Sequence, residues 1–365
     1  MGKTRPAPDF YLLAAALSLL AVGIVMVYSA GAAAAFREYG DSLYYLKRQL
    51  VFAGIGLLAM GFAANVDYWI WKKYASVGLV VCFALLCAVL IPGVGVVRGG
   101  ARSWLGIGGF GIQPSEFMKL ALIVFLAKML SERPERLSSF TKGLLPPLAL
   151  TGLAFGLIML QPDLGSGAVL VGTAVILLYA AGARVSHLAA LAAAGLAGFA
   201  ALVAAAPYRM QRIIGFLDPW SDPLGSGYQI IQSLYAIGPG GLVGLGLGAS
   251  RQKHSYLPEP QTDFIFSIAA EELGFLGGAL IIGLFTLLFW RGMRAAIAAP
   301  DAFGSLLAVG IVGMIGVQTF INIGVVIGLL PVTGITLPLI SAGGSSLTLL
   351  LTAIGVLLNV SRHAR

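Results

Sequence analysis

Long apolar runs separated by short polar breaks dominate this chain. They lie at approximately 10–31, 49–64, 75–92, 115–130, 144–160, 164–182, 187–206, 263–290, 303–327 and 345–361. A helix that crosses a bilayer needs about 20 predominantly apolar residues, so each run reads as one membrane span. The first run has Lys3 and Arg5 ahead of it and the small residues Ala33 and Ala35 behind, the layout of a signal peptide. It is too long for the apolar stretch of one, so it reads as an uncleaved first span. The runs at 144–160 and 164–182 are divided only by Gln161-Pro162-Asp163. Between the seventh and eighth runs lies the one large loop, 207–262. It is half apolar and carries turn signals at Asp218-Pro219, Asp222-Pro223 and Gly238-Pro239-Gly240-Gly241. Such a loop is expected to lie along the membrane surface and not to form a separate domain.

Composition narrows the class further. Of 365 residues, 58% are hydrophobic and 10% charged, against roughly a quarter charged in ordinary soluble domains. With a mean hydropathy of +0.92, a cytosolic enzyme, a secreted domain and a disordered protein are all excluded. The expected fold is an all-α polytopic membrane protein: a single domain over 1–365, with ten transmembrane helices and the 207–262 loop outside. Glycine, at 49 residues, has about twice its usual share, as close packing of membrane helices favours. The formal charge of +8 comes from 23 Lys+Arg and 15 Asp+Glu. Most basic residues flank spans, which points to topology and lipid headgroups and not to nucleic acid. With the N-terminus inside, thirteen Lys/Arg fall on the cytoplasmic side, nine outside and Lys119 within a span; four of the nine lie in the long loop. Long loops count little toward orientation, so both termini are expected in the cytoplasm. Cys82 and Cys87 share one apolar run, and His187, His254 and His363 are scattered. Neither a disulfide framework nor a metal site is predicted.

Topology then directs attention to four helix starts. Even-numbered spans run from outside to inside, so their N-termini face outward. Four of them carry unusual polar residues: Gln113-Pro114-Ser115-Glu116, Gln161-Pro162-Asp163, Gln261-Thr262-Asp263 and Gly343-Gly344-Ser345-Ser346. Each start offers unpaired N–H groups and a partial positive charge, an anion-binding arrangement. Ordinary capping explains each alone but not why the polar starts favour one membrane side, so one shared outward cavity is expected. Glu116 and Lys119 lie on one helix face a turn inside a span. Ionisable groups there point either to function or to a buried structural ion pair, and the sequence leaves both open. Glu271 and Glu272 fall about 12 Å deeper than Asp263 at 1.5 Å per residue and are expected to bond neighbouring helices. Arg98, Arg102, Arg209, Arg212, Arg251 and Lys253 are outward cations suited to phosphate or to headgroups.

Some patterns carry nothing. Gly106-Ile107-Gly108-Gly109-Phe110-Gly111 fits dinucleotide spacing, but no strand is expected before it. Gly2-Lys3-Thr4 lacks the upstream glycine of a Walker loop. With no recognisable ATP site, group transfer must be driven by an activated substrate that reaches the outer leaflet.

The motifs together resemble the SEDS family (FtsW, RodA, SpoVE). They are Gly100-Ala101-Arg102-Ser103-Trp104, Gln113-Pro114-Ser115-Glu116-Phe117-Met118-Lys119, Gln161-Pro162-Asp163-Leu164-Gly165, Tyr228-Gln229-Ile230-Ile231-Gln232-Ser233, Leu257-Pro258-Glu259 with Thr262-Asp263-Phe264, Glu271-Glu272-Leu273-Gly274, and Pro331-Val332-Thr333-Gly334 through Ser345-Ser346. They run in order over nearly the whole chain. Gln232-Ser233-Leu234-Tyr235-Ala236-Ile237-Gly238 and Arg251-Gln252-Lys253 look more like the FtsW/SpoVE division branch than RodA. Departures are Pro239, Gln261 and Ala342, where the family commonly has serine, histidine and tyrosine.

The resemblance implies a peptidoglycan glycosyltransferase in the bacterial cytoplasmic membrane. It would polymerise lipid II on the outer face beside a class B penicillin-binding protein and other division proteins. The family's essential aspartate falls on Asp263, expected to act as general base; Glu116, Lys119 and Asp163 surround the same cavity. Arg102, Lys119, Arg209 and Arg212 are assigned to the departing pyrophosphate, with Ser345 and Ser346 at the substrate. A single displacement inverts the anomeric centre. No ligand set for a divalent cation is legible. An elongation polymerase, a flippase for the lipid-linked precursor and a pure scaffold are the rival expectations.

Overall fold

In a bilayer every peptide N–H and C=O must find a partner within the protein, and the helix is the local solution. The computed structural model describes residues 7–98, 101–107, 110–204, 207–254 and 256–364. Each predicted apolar run forms one helix: α1 (Phe10–Tyr39), α2 (Tyr44–Asn65), α3 (Tyr68–Leu90), α4 (Pro114–Glu132), α5 (Leu145–Met159), α6 (Leu164–Ala180), α7 (Val185–Ala204), α10 (Ile265–Ile297), α11 (Ala302–Val326) and α12 (Gly344–His363). Two more, α8 (Pro207–Leu217) and α9 (Tyr228–Ile237), lie within the long loop. Among the described residues seven helices are long and apolar enough to cross a membrane: α1, α2, α3, α5 with the turn leading into it, α10, α11 and α12. The helix α6 and the 185–198 part of α7 are shorter apolar stretches, and α4 carries Glu116 and Lys119 within its 19 residues.

Short polar residues set the boundaries. The carboxylates of Asp9, Asp67, Asp163 and Asp301 accept first-turn N–H bonds at the starts of α1, α3, α6 and α11, the usual N-cap arrangement. Pro114 opens α4 at the one position where its missing N–H costs nothing. The most enclosed helices are α11 and α12, with 67% and 72% of their apolar windows buried against 28% for α3. They form the centre; α12 packs on α2, α10, α11 and α4. Outward-facing Leu58, Phe62 and Val80 stand exposed, which water would penalise and lipid does not.

Among the described residues the one sheet is small. Strands β1 (Gly95–Arg98), β2 (Ala101–Ile107) and β3 (Phe110–Ile112) pair antiparallel in that order, against α3, α4 and α12. Strands β1 and β3 are too short, and β2 does not alternate, so no period-two signal is left to read. A strand therefore does precede the glycine-rich run, against expectation. The run nevertheless spans the β2–β3 hairpin, with Gly106 opposite Gly111, and does not open a helix as a dinucleotide loop would. Gly108 and Gly109 lie outside the described residues.

The long helix α10 is broken at Gly274, whose φ of 68° and ψ of −165° are open to little but glycine. The break is filled by backbone from the long loop. Leu245 and Gly246 donate their N–H groups to the carbonyls of Glu271 and Glu272, both at 3.0 Å, while Phe275 and Leu276 donate to Gly241 and Leu242 at 2.8 and 3.1 Å. The loop thus supplies the partners that the interrupted helix lacks. A Cβ at Gly274 would stand 2.3 Å from the Gly244 nitrogen. We expect Gly274→Ala to cost at least about 1–3 kcal/mol from backbone strain alone, read as a lower thermal unfolding midpoint of the purified protein in detergent.

Candidate active site

Four polar helix starts meet on one face of the bundle. Asp163, the N-cap of α6, accepts hydrogen bonds at one carboxylate oxygen from Gln113 Nε2 at 2.9 Å and Ser115 Oγ at 3.3 Å. Its other oxygen takes the Ser166 N–H at 3.0 Å. The Gln113 N–H reaches Ser345 Oγ at 3.3 Å, so the start of α12 joins those of α4 and α6. The chain ahead of α12 closes the ring: Ser341 Oγ donates to the Thr262 carbonyl at 2.6 Å and the Ala342 N–H to that of Gln261 at 2.9 Å. Gln49 of α2 braces the same chain through Ser341 and Gly343, both at 3.3 Å.

The extended segment 331–338 lies between the two aspartates. It presses on α6 at Gly165, where a Cβ would stand 2.5 Å from Ile335. Asp263, two residues before α10 and outside its helical span, has its carboxylate beside Gly334. Asn322 Nδ2 holds this arrangement from α11, donating to the carbonyls of Asp263 at 2.8 Å and Ile335 at 2.6 Å. One turn earlier, Gln318 donates to the Thr336 carbonyl at 3.1 Å. Two flanking residues, Glu259 and Leu339, hold left-handed backbone at φ 49° and 64°, unfavourable for side chains with a Cβ. Among the described residues the half-buried Asp263 carboxylate has no hydrogen-bond partner. Burial, then the Glu259 carboxylate, then that of Asp163 push its pKa up to about 7.

Glu116 and Lys119 form a buried ion pair at 2.8 Å. Lys119 Nζ also donates to Gln318 Oε1 at 3.0 Å, which ties α4 to α11. The second Glu116 oxygen is buried without a partner among the described residues. Lys119 is therefore committed to two neighbours and is not a free cation.

The remaining candidates are distributed differently. Arg102 sits on β2, its stem over Gly95, with no ion pair among the described residues. Ser345 enters the cluster; Ser346, one residue on, makes no hydrogen bond among them. Arg209 and Arg212 lie on α8 with side chains outside the described residues, as is that of Arg98. Lys253 is no phosphate ligand in waiting: its Nζ is buried against Glu272 at 2.9 Å and the Gly248 carbonyl at 2.7 Å. Glu272 also accepts from Ser29 of α1, and Glu271 from Ser250 Oγ, both at 2.5 Å. The two glutamates thus bond chiefly the long loop and only once a neighbouring helix, because the break at Gly274 admits the loop. Gln318 and Asn322 escaped the sequence reading. Their i,i+4 spacing on the otherwise apolar α11 was the available signal.

Removing one partner of a buried ion pair leaves an uncompensated charge. We expect Lys119→Met to cost about 3–5 kcal/mol and the double variant Glu116→Gln/Lys119→Met to regain most of it, measured by thermal unfolding.

Comparison with known proteins puts this geometry in context. The family FTSW_RODA_SPOVE, described as "Cell cycle protein", matches residues 10–365. The chain is 60% identical over 365 residues to stage V sporulation protein E of Bacillus subtilis (strain 168), covering 100% of each. It is 44% identical to the probable peptidoglycan glycosyltransferase FtsW of Geobacter sp. (strain M18), over 98% of this chain and 97% of that one. One chain of a solved peptidoglycan synthase complex, described as coordinating polymerization and crosslinking, superposes with a TM-score of 0.81 at 35% identity, covering 98% of both. By sequence and by fold, over nearly its full length, the chain belongs to the FtsW/RodA/SpoVE family of multi-pass membrane proteins.

Proposed function

We propose that the chain is a ten-span peptidoglycan glycosyltransferase that polymerises lipid II into glycan strands on the outer face of the cytoplasmic membrane. Septal synthesis during division is its setting, with both termini in the cytoplasm and the 207–262 segment along the outer surface. The observation that carries this reading is Asp263. It is a carboxylate without hydrogen bonds among the described residues, with a pKa raised to about 7, at the meeting point of four helix starts. A general base works best when its pKa lies near the working pH.

Asp263 takes the proton from the acceptor sugar 4-hydroxyl as that oxygen attacks the anomeric carbon of the donor. The bond to pyrophosphate breaks and the centre inverts. Pyrophosphate is a good leaving group and needs stabilisation more than protonation. The N–H groups at the starts of α4, α6 and α12, with Arg102 and the α8 arginines Arg209 and Arg212, supply it. Lys119 contributes through its pairing with Glu116 and Gln318, which holds α4 and α11 together under the site. Asp163, Ser345 and Ser346 position the substrate. The partner is a class B penicillin-binding transpeptidase within the division machinery. The related chain solved in a synthase complex that coordinates polymerization and crosslinking supports this.

A second reading concerns the occasion and not the chemistry. The 60% identity to a stage V sporulation protein, against 44% to FtsW, supports a setting in sporulation. Under it, deleting the gene leaves vegetative septation intact and blocks spore maturation.

The general-base assignment predicts that Asp263→Asn, purified and folded, loses about 10²–10⁴-fold in polymerisation rate while still binding lipid II; normal glycan output rejects it. The base must be deprotonated, so wild-type rate rises with pH through about 7 and levels above it. Glu259→Gln removes a charge that raises this pKa, so its profile moves toward acid.

A further inference from the structure

At the end of α4 remote from Asp263, the chain turns back through 133–144 into α5. The turn encloses a cavity of about 270 Å³. Its lining combines the apolar Met129, Leu130 and Pro146 with the basic Arg133, Arg136 and Lys142. The turn is tightly built: Ser139 and Gly143 donate their N–H groups to the carbonyls of Arg136 and Ser139 at 2.9 and 3.0 Å. A Cβ on Gly143 would stand 2.1 Å from the Arg136 carbonyl oxygen.

Basic residues outnumber acidic ones in the lining of this cavity, three to one. Its one lining acid, Glu132, is engaged by Lys72 of α3 at 3.8 Å. Arg133, Arg136 and Lys142 have no side-chain ion pair or hydrogen bond among the described residues. Three cations around one space favour an anion there, and guanidinium groups match phosphate oxygens in geometry. The same lining is apolar at Met129, Leu130, Leu137 and Pro146, and Phe140 and Leu145 of the same turn are exposed. An inorganic anion leaves the apolar part of this lining unused, whereas a molecule with phosphate at one end and hydrocarbon at the other uses both parts.

We propose that this cavity binds the phosphate of an anionic phospholipid headgroup, with the adjoining glycerol and acyl carbons along Met129, Leu130 and Pro146. The site lies at the opposite end of the bundle from the proposed active site and does not depend on the role of Asp263. Basic pockets between membrane helices are suited to such headgroups.

Native mass spectrometry of the purified full chain tests this, using phosphatidylglycerol, phosphatidylcholine with the same acyl chains, glycerophosphoglycerol and inorganic phosphate as probes. Phosphatidylglycerol should be retained at least about tenfold better than phosphatidylcholine, since each nearby cation adds several-fold to attraction for an anionic lipid. The triple variant Arg133→Gln/Arg136→Gln/Lys142→Gln should abolish that preference. The control Arg37→Gln/Lys47→Gln/Arg48→Gln, on the other face, should keep it. Should the triple variant fold poorly, the exposed single change Lys142→Glu should still weaken retention several-fold. Unchanged retention in the cavity variants, or equal loss in the control, overturns the site. Displacement by glycerophosphoglycerol or phosphate as effective as by the whole lipid assigns it to a free anion and overturns the lipid.

Discussion

A peptide group in hydrocarbon has no water to fall back on, and the architecture is a set of answers to that constraint. Helices satisfy all but their first four N–H and last four C=O groups, so the ends are where polar chemistry accumulates. Here the starts of α4, α6 and α12 and the approach to α10 satisfy one another through Gln113, Ser115, Asp163, Ser341 and Ser345. The same rule explains the break in α10. A membrane helix can be interrupted only where something replaces its lost bonds, and the backbone of residues 241–246 does so. Irregular structure and reactive groups thus enter together, each justified by the partners the other supplies.

Charge follows similar logic. Two buried ion pairs, Lys119 with Glu116 and Lys253 with Glu272, sit where segments must be held in register. Such pairs add little net stability, since desolvation offsets most of the attraction; their value lies in specifying one arrangement. The first joins α4 to α11 through Gln318. The second fastens the long loop and α1 to α10 through Ser29. Asp263 contrasts with both. It has neighbours of its own sign and no counter-ion among the described residues, so the surroundings that satisfy the other carboxylates leave this one ready to accept a proton.

The extended chain between α11 and α12 is the joint on which these features turn. Its carbonyls are gripped by Gln318 and Asn322, Gly334 stands against Asp263, and Ile335 packs over Gly165. A short irregular segment can reach three helix starts at once, which no straight helix can. That it runs beside the candidate catalytic carboxylate accords with the tendency of functional groups to ride on loops held by a rigid scaffold.

Much of this was readable from residue order, because a bilayer imposes one length and one composition on whatever crosses it. The apolar runs marked the ten principal helices, and the polar starts at Gln113, Asp163, Asp263 and Ser345 named the elements that would meet. Periodicity could not reveal the β1–β3 sheet, since β1 and β3 are short and β2 does not alternate apolar and polar residues, nor the pairing of Glu271 and Glu272 with the loop, which hinges on the positive φ of Gly274. Asn322, which holds Asp263 in place, sits 59 positions away along the chain, and Gln318, which holds the segment beside it, 55. Local order thus specified the helices and their chemically active ends, since both follow from short-range polarity and length. Which cations remain free, which carboxylate is left without a partner and what bridges the helix starts arose only from long-range packing, because each depends on groups that folding alone brings within hydrogen-bond distance.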